Sequence, residues 1–289
     1  MNCVPETDIL NIIYFDPESK EFAEKQINIY RLIKTQEIRF VVSYSKMKIY
    51  MLLDIDINYF ISVDLLTLEI TEEKISSKIG FAPSLNLINE KYIIAIGGIN
   101  CDTINLFNLE TSNWTYIGKM RNARYGAYTL YDNIDNIIYI IGGRDNEQNN
   151  ELELEYFTIP DDHKSKNSFL NPKDNQYEIN TKKFSSDFSL RRSFPIAFQL
   201  YGSNDFIVCG GNGLFLDEDI NTSTIVDVTG ESCRLLQDLH KEFSSKNPNV
   251  LFNSNIAYFF IKEEEVIKFN CTEHTFSSIK KKKEIEEES

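Results

Sequence analysis

The sequence repeats one hairpin-like pattern along most of its length. An apolar strand ends in an aromatic residue or valine, a polar residue and a turn follow, and another apolar residue stands seven positions after the first. The Asp or Asn after the first residue can bond the backbone of the turn, so the pattern predicts a β-hairpin. Five pairs keep this spacing: Phe15 and Phe22, Val63 and Ile70, Phe107 and Trp114, Val226 and Cys233, and Phe269 and Phe276. A sixth copy begins at 155–157 and is opened by an insertion.

Two further strands precede each hairpin after the first. The nearer strand is continuously apolar and in three units ends in paired glycines, as in KYIIAIGG, NIIYIIGG and DFIVCGG. Continuous apolar character predicts burial on both faces, and paired glycines indicate a positive φ or a close backbone approach. KIYMLLD and IAYFFIK occupy the same place without glycine. Successive hairpins are 43 to 50 residues apart except across the insertion. Four strands at that period are typical of a β-propeller blade.

With these strands in place, the chain resembles the kelch-repeat family. The double glycine, the aromatic residue on the third strand and the Trp on the fourth match as Gly142-Gly143, Phe107 and Trp114. The resemblance implies an all-β, kelch-type β-propeller of about six blades in a single domain, residues 1–279. Another propeller or a β-sandwich stays open as the alternative. The blades are expected at about 9–34, 35–80, 81–120, 121–188, 189–245 and 246–279. The glycines and tryptophan expected to be structural are Gly97, Gly98, Trp114, Gly142, Gly143, Gly210 and Gly211.

The repeat is incomplete or interrupted at three places. The first unit has room for two strands only, so we expect either a genuinely two-stranded blade or a piece of a longer protein. An open sheet edge invites pairing, so a partner or missing N-terminal sequence is expected to cover the edge of blade one. The polar insertion at 158–183 is either a tolerated surface loop or a contact arm. The charged segment at 280–289 predicts a solvated tail.

Charge and cysteine content narrow the partners and the compartment. The 289 residues carry a formal net charge of −14, which repels phosphate backbones and argues against a nucleic-acid partner. Five cysteines without CxxC spacing favour reduced thiols and a cytoplasmic location. The N-terminus has no signal-peptide pattern, and the longest apolar runs are too short to cross a bilayer, so no membrane association is expected.

Catalytic motifs do not emerge from the sequence. The three histidines, His163, His240 and His274, fall at different places in their units, which disfavours convergence on a metal. No P-loop, GxGxxG, HExxH or nucleophile elbow is present. The sequence therefore predicts no metal, no cofactor and no catalytic residue, and the chain is expected not to be an enzyme. An active site at the mouth of the propeller channel stays open as a less favoured alternative.

An arginine recurs at the start of the first strand of several units. Arg124 and Arg192 each stand 18 residues before a double glycine, and Arg39 stands 14 residues before Leu53, which takes the place of the first glycine. Polar residues follow the second strands. Kelch adaptors of ubiquitin ligases bind short acidic peptides at such positions, so the resemblance implies a partner-binding rim, although the same arginines could brace the rim instead. The candidate residues are Arg39, Asn100, Arg124, Arg144, Asn146, Arg192 and Asn212.

The repeat architecture predicts a protein that works by binding other proteins. We therefore expect a non-catalytic protein–protein interaction scaffold that uses the loop rim of the propeller. The recognition half of a ubiquitin-ligase adaptor cut from a longer chain is the alternative. The partner itself is not indicated by the sequence.

Overall fold

Every regular element that the structure describes is a β-strand. The computed structural model describes residues 8–29, 38–53, 59–75, 79–145, 154–159, 179–182, 192–200, 202–213, 222–236, 250–253, 255–262 and 265–280. Within those ranges no helix is long and apolar enough to cross a bilayer. The strands form a β-propeller of five four-stranded antiparallel blades and one two-stranded first sheet, which confirms the predicted fold class and the incomplete first unit.

The chain packs into two compact units, residues 34–247 and residues 1–33 with 248–289. The larger unit holds blades two to five, each with its four strands side by side in chain order. Their strands are β3 (Ile38–Ser43), β4 (Lys48–Leu53), β5 (Tyr59–Asp64) and β6 (Ile70–Lys74); β7 (Ser84–Ile88), β8 (Tyr92–Ile96), β9 (Thr103–Asn108) and β10 (Asn113–Lys119); β11 (Tyr128–Asp132), β12 (Ile137–Ile141), β13 (Leu154–Thr158) and β14 (Asn180–Lys182); and β15 (Ile196–Gln199), β16 (Phe206–Cys209), β17 (Ser223–Asp227) and β18 (Ser232–Leu235).

The smaller unit holds the two-stranded first sheet and the last blade. Phe15 of the first sheet packs on the last blade, with its ring centroid 5.6 Å from that of Tyr258. Val266 completes a small buried cluster with these two residues. The strands are β1 (Asp8–Asp16) and β2 (Glu21–Ile29), and β19 (Val250–Asn253), β20 (Ile256–Lys262), β21 (Glu265–Asn270) and β22 (Thr275–Lys280).

The outer hairpins have the register that the spacing of seven predicts. Each predicted pair is a directly opposed cross-strand pair, for example Phe107 with Trp114 and Phe269 with Phe276. The polar residue after the first anchor closes the turn: Asn108 Oδ1 accepts hydrogen bonds from the amides of Glu110 at 2.8 Å and Thr111 at 3.1 Å. Side-chain oxygens of Asp16, Asp64, Asp227 and Asn270 accept equivalent turn amides. The hairpin prediction is therefore confirmed.

The paired glycines end buried strands, as predicted. All four residues of β16 and all but the first residue of β8 and β12 are buried. At Gly98 the φ angle is +114°, and a Cβ there would lie 2.6 Å from the carbonyl oxygen of Phe81. Only glycine accepts both the conformation and the approach of the neighbouring backbone. The double glycine thus brings the start of the first strand against the end of the second.

The hydrophobic core of the larger unit lies between neighbouring blades. Phe60 of blade two is buried and its ring centroid lies 4.4 Å from that of Phe107 and 5.5 Å from that of Trp114, both in blade three. Tyr139 of blade four contacts Phe206 of blade five in the same way, with centroids 5.4 Å apart. Aromatic packing therefore joins blade two to blade three, through the anchors Phe107 and Trp114, and blade four to blade five.

The insertion interrupts the outer hairpin of blade four. Tyr156 of β13 pairs with Asn180 of β14, so the hairpin closes around the inserted segment. Residues 160–178 of the insertion and residues 281–289 of the tail lie outside the described part of the chain, and their predicted roles stay predictions.

Candidate functional site

Loops of blades three, four and five meet at one end of the larger unit. The amide of Gly98 in blade three donates to the carbonyl of Arg124 in blade four at 2.9 Å, and the amide of Gly143 donates to the carbonyl of Arg192 in blade five at 2.9 Å. The loop after the second strand of one blade is thus bonded to the chain entering the next blade. We call this end of blades three to five the rim.

Arg124 is buried and held by its own blade. Its Nη1 donates to the carbonyl of Gly142 at 3.2 Å, and its Nη2 forms an ion pair with Glu155. The two side chains are 0% and 1% exposed, so the pair is shielded from solvent. Glu155 also accepts the amide of Arg121 at 3.1 Å through Oε2. One carboxylate therefore fixes both the guanidinium and the loop that leads into blade four.

Arg192 occupies the equivalent position in blade five. Its Nη1 donates to the carbonyls of Gly210 and Thr222, both at 3.0 Å, and its Nη2 donates to Thr222 Oγ1 at 3.3 Å. Burial of the side chain lowers the pKa of Arg192 to about 10. The repeated spacing of 18 residues thus does reflect one shared structural position for Arg124 and Arg192.

Arg39 does not share that position. It is the second residue of β3 and pairs with Leu52, whereas the residue in the equivalent register of blade four is Tyr128, opposite Ile141. The shorter spacing of 14 residues places Arg39 inside the strand instead of ahead of it. Its guanidinium lies over the ring of Phe194 in blade five, 5.3 Å from the centroid.

The polar residues after the second strands differ in exposure. Arg144 is 5% exposed, pairs through its backbone with Tyr125, and its Nη2 donates to the carbonyl of Gly213 at 2.8 Å. Asn212 is half-buried and pairs through its backbone with Ser193. Asn100 is exposed, with a φ angle of +56°. Asn146 lies outside the described residues. The guanidiniums of this region are therefore directed into the protein, and the asparagines lie nearer the surface.

Sequence reasoning missed the aromatic part of the rim. Phe194 has a φ angle of +54°, its amide donates to the carbonyl of Gly126 at 2.6 Å, and its ring lies 6.3 Å from that of Tyr125. A Cβ at Gly126 would stand 3.0 Å from the Phe194 ring, so the glycine allows the ring to settle there. The pattern Arg-Tyr-Gly in blade four beside Arg-Ser-Phe in blade five is the signal that could have identified it.

The exposed and half-exposed residues of the rim form a mixed polar and aromatic surface. Ile99 is 37% exposed and its amide donates to the carbonyl of Phe81 at 2.8 Å. Arg121 and Asn122 are exposed in the loop that enters blade four. We define the rim surface as Ile99, Asn100, Arg121, Asn122, Tyr125 and Phe194.

Metal-ligating side chains do not cluster among the described residues. No group of three or more His, Cys, Asp or Glu side chains there is placed to hold a metal ion. His274 lies in the outer turn of the last blade, while His163 and His240 fall outside the described ranges. The expectation that the protein uses no metal or cofactor stays a prediction.

Comparison with known proteins identifies the fold and not the function. No family model and no curated protein matches the chain. The solved structure of YjhT is similar to it, with a TM-score of 0.68 over 93% of this chain and 91% of that one, at 10% sequence identity. Similarity at so low an identity supports the β-propeller fold alone.

Proposed function

We propose that this chain is a kelch-type propeller that serves as a non-catalytic scaffold and binds another protein through the rim surface. The kelch assignment is supported by the buried double glycines and by the paired anchors of the outer hairpins. The observation that carries the binding proposal is the rim itself, in which solvent-facing side chains stand on a backbone tied down by buried arginines.

Rigidity is the first argument for the rim surface. Arg124 and Arg192 bond to the carbonyl of the first glycine of their own blade, and Arg144 of blade four bonds to the carbonyl of Gly213 in blade five. Hydrogen bonds from charged donors are stronger than neutral ones, so the loops are held in one arrangement before a partner arrives. A preorganised surface loses less conformational entropy on binding, which favours affinity.

The residue types of the rim surface are the second argument. Aromatic residues and arginine are enriched in the cores of protein interfaces, where they bury large areas. Tyr125 of blade four and Phe194 of blade five provide two aromatic rings 6.3 Å apart, and Arg121 lies exposed in the loop that enters blade four. In this proposal the exposed residues contact the partner, and the buried arginines support them. The prediction that the guanidiniums themselves bind partner carboxylates stays untested, as does the predicted cytoplasmic location.

A paired charge change tests the proposal. We would capture binding partners from native cells with tagged wild-type protein and with the double variant Arg121→Glu, Asn122→Asp, and quantify them by mass spectrometry. The matched control is Lys91→Glu, Thr111→Asp, which makes the same change in charge at exposed turns outside the rim. We expect at least one abundant partner to be lost from the rim variant and retained by the control.

The opposite pattern would remove the basis of the proposal. Partners retained equally by all three proteins would show that the rim surface does not contribute to binding. Partners lost equally from both variants would show a response to net charge and not to the rim. The melting temperatures of the three proteins should agree closely, because the four altered side chains are exposed and the hydrogen bond that Arg121 gives up is a long, exposed one, 3.4 Å from Nη1 to Thr181 Oγ1.

A further inference from the structure

The interior of blade five differs from that of blade four in one charge. Arg124 and Arg192 occupy the same position and donate through Nη1 to the carbonyl of the first glycine, Gly142 at 3.2 Å and Gly210 at 3.0 Å. Both residues are about as buried as a core residue, at 1% exposure. The two sites can therefore be compared atom by atom.

Among the described residues, the countercharge is present in blade four only. Glu155 stands opposite Ile140 in the pairing of β12 with β13, and Thr224 stands opposite Val208 in the equivalent pairing of β16 with β17. Thr224 thus occupies the place of the carboxylate that pairs with Arg124. Within the part of the chain that the structure describes, Arg192 has no carboxylate at ion-pair distance.

Unsatisfied polar atoms mark the same place. Arg192 Nε and Thr224 Oγ1 are buried and have no hydrogen-bond partner among the described residues. Thr224 is fully buried, at 0% exposure. The nearby thiol of Cys209 does not supply a negative charge, because burial raises its pKa to about 12. The Thr224 hydroxyl is thus unsatisfied at the strand position where blade four carries a carboxylate. Among the described residues the Arg192 guanidinium is held only by Gly210 and Thr222, with its Nε unused.

These observations indicate that a negatively charged ion would stabilise the interior of blade five. A buried charge is strongly disfavoured unless it is paired and hydrogen-bonded. Threonine is shorter than glutamate by about the size of a carboxylate group, which matches the size of a small ion. We propose that blade five binds a small monovalent anion, of which chloride is the abundant example, between Arg192 and Thr224. A side chain of a macromolecular partner would not reach a guanidinium that is 1% exposed, whereas a small ion does on local opening.

Exchanging the two side chains between blades tests the site. Thermal unfolding is followed by the fluorescence of Trp114, the single tryptophan, in sodium chloride and in sodium gluconate at equal ionic strength. Chloride should raise the melting temperature of the wild type saturably, by about 3 °C. Thr224→Glu supplies its own carboxylate and should lose that dependence. Glu155→Thr creates the same unpaired arginine in blade four and should show a larger dependence than the wild type.

Three results would overturn the proposal. Equal chloride dependence in the wild type and both variants would show a general salt effect. The second is a wild type that ignores chloride until Asp217, Glu218 and Asp219 are changed to amides, which would assign the countercharge to that acidic segment of the sequence. If Thr224→Glu does not fold, the proposal is tested by NMR instead, by measuring how much the wild type and Glu155→Thr each broaden the chloride-35 line. The wild type should broaden the line and the variant should broaden it more, and the absence of protein-dependent broadening is the third contrary result.

Discussion

Removing Glu155 while Arg124 remains should destabilise the larger unit strongly. The two side chains form an ion pair with 0% and 1% exposure, so Glu155→Leu leaves a guanidinium charge in the protein interior. Breaking one side of such a pair costs about 3–5 kcal/mol. The variant also loses the bond from the Arg121 amide to Glu155 Oε2, which is 3.1 Å long in the wild type. We therefore expect the free energy of unfolding to fall by at least about 3 kcal/mol.

The double variant Arg124→Met, Glu155→Leu separates charge from packing. It removes both charges and keeps similar side-chain volumes, so it should be more stable than Glu155→Leu by about 2 kcal/mol or more. The exposed pair of Lys119 with Asp102 is the control, with a 3.6 Å separation and side chains 62% and 39% exposed. Asp102→Ala should cost no more than about 1 kcal/mol.

Urea unfolding followed by Trp114 fluorescence measures all four proteins in one assay. Trp114 packs on Phe60 and Phe107 between blades two and three, so its emission reports the core of the larger unit. Comparable urea dependence of the unfolding free energy would show that the variants unfold the same surface. The reasoning is refuted if Glu155→Leu lies within about 1 kcal/mol of the wild type, or if the double variant is the less stable of the two.

Three further predictions concern the core, the glycines and the turns. Phe60→Ala should lower the free energy of unfolding by about 3–5 kcal/mol in the same urea assay, because the buried Phe60 ring has its centroid 4.4 Å from that of Phe107. A loss of less than about 1 kcal/mol would contradict this prediction. Measured by calorimetry, Gly98→Ala should lower the free energy of unfolding by more than about 2 kcal/mol, because the new Cβ meets neighbouring backbone. Gly202→Ala should lower it by about 1 kcal/mol, because nothing lies within 4 Å of a Cβ there. Equal losses for the two variants would contradict the role of the close backbone approach at Gly98. The amides of Thr67 and Leu66 hold the pKa of Asp64 below its ordinary value of 3.8, so the turn is stabilised above pH 3.8 and loses that stabilisation as pH falls through the lowered pKa. An NMR titration midpoint of 3.8 or higher for this carboxyl would contradict it.

The hairpins and buried strands could be predicted because their causes are local. A spacing of seven residues with a turn-forming Asp or Asn fixes which residues face each other, and Val63 does pair with Ile70. Continuous apolar runs such as β12 are buried on both faces for the reason that the sequence indicates. The two-stranded first sheet follows from the same count of strands.

The interior of the rim could not be predicted because it depends on contacts between blades. The spacing located Arg124 and Arg192, but an arginine that begins a strand at a loop looks the same in sequence whether it faces solvent or its own blade. The contact of Arg39 with Phe194 joins blades two and five, whose separation in sequence carries no local pattern. Blade four has Glu155 where blade five has Thr224, and this difference can be recognised only from the strand register, which shows that the two positions are equivalent.

Hydrogen–deuterium exchange of the larger unit with and without a captured partner tests the binding account most directly. We predict that the partner slows exchange in peptides that contain Asn100, Asn122, Tyr125 and Phe194, because these lie on or beside the rim surface. Peptides that contain Lys91 and Thr111, in exposed turns outside the rim, should exchange at unchanged rates. Protection confined to those turns, with none at the rim, would contradict the account.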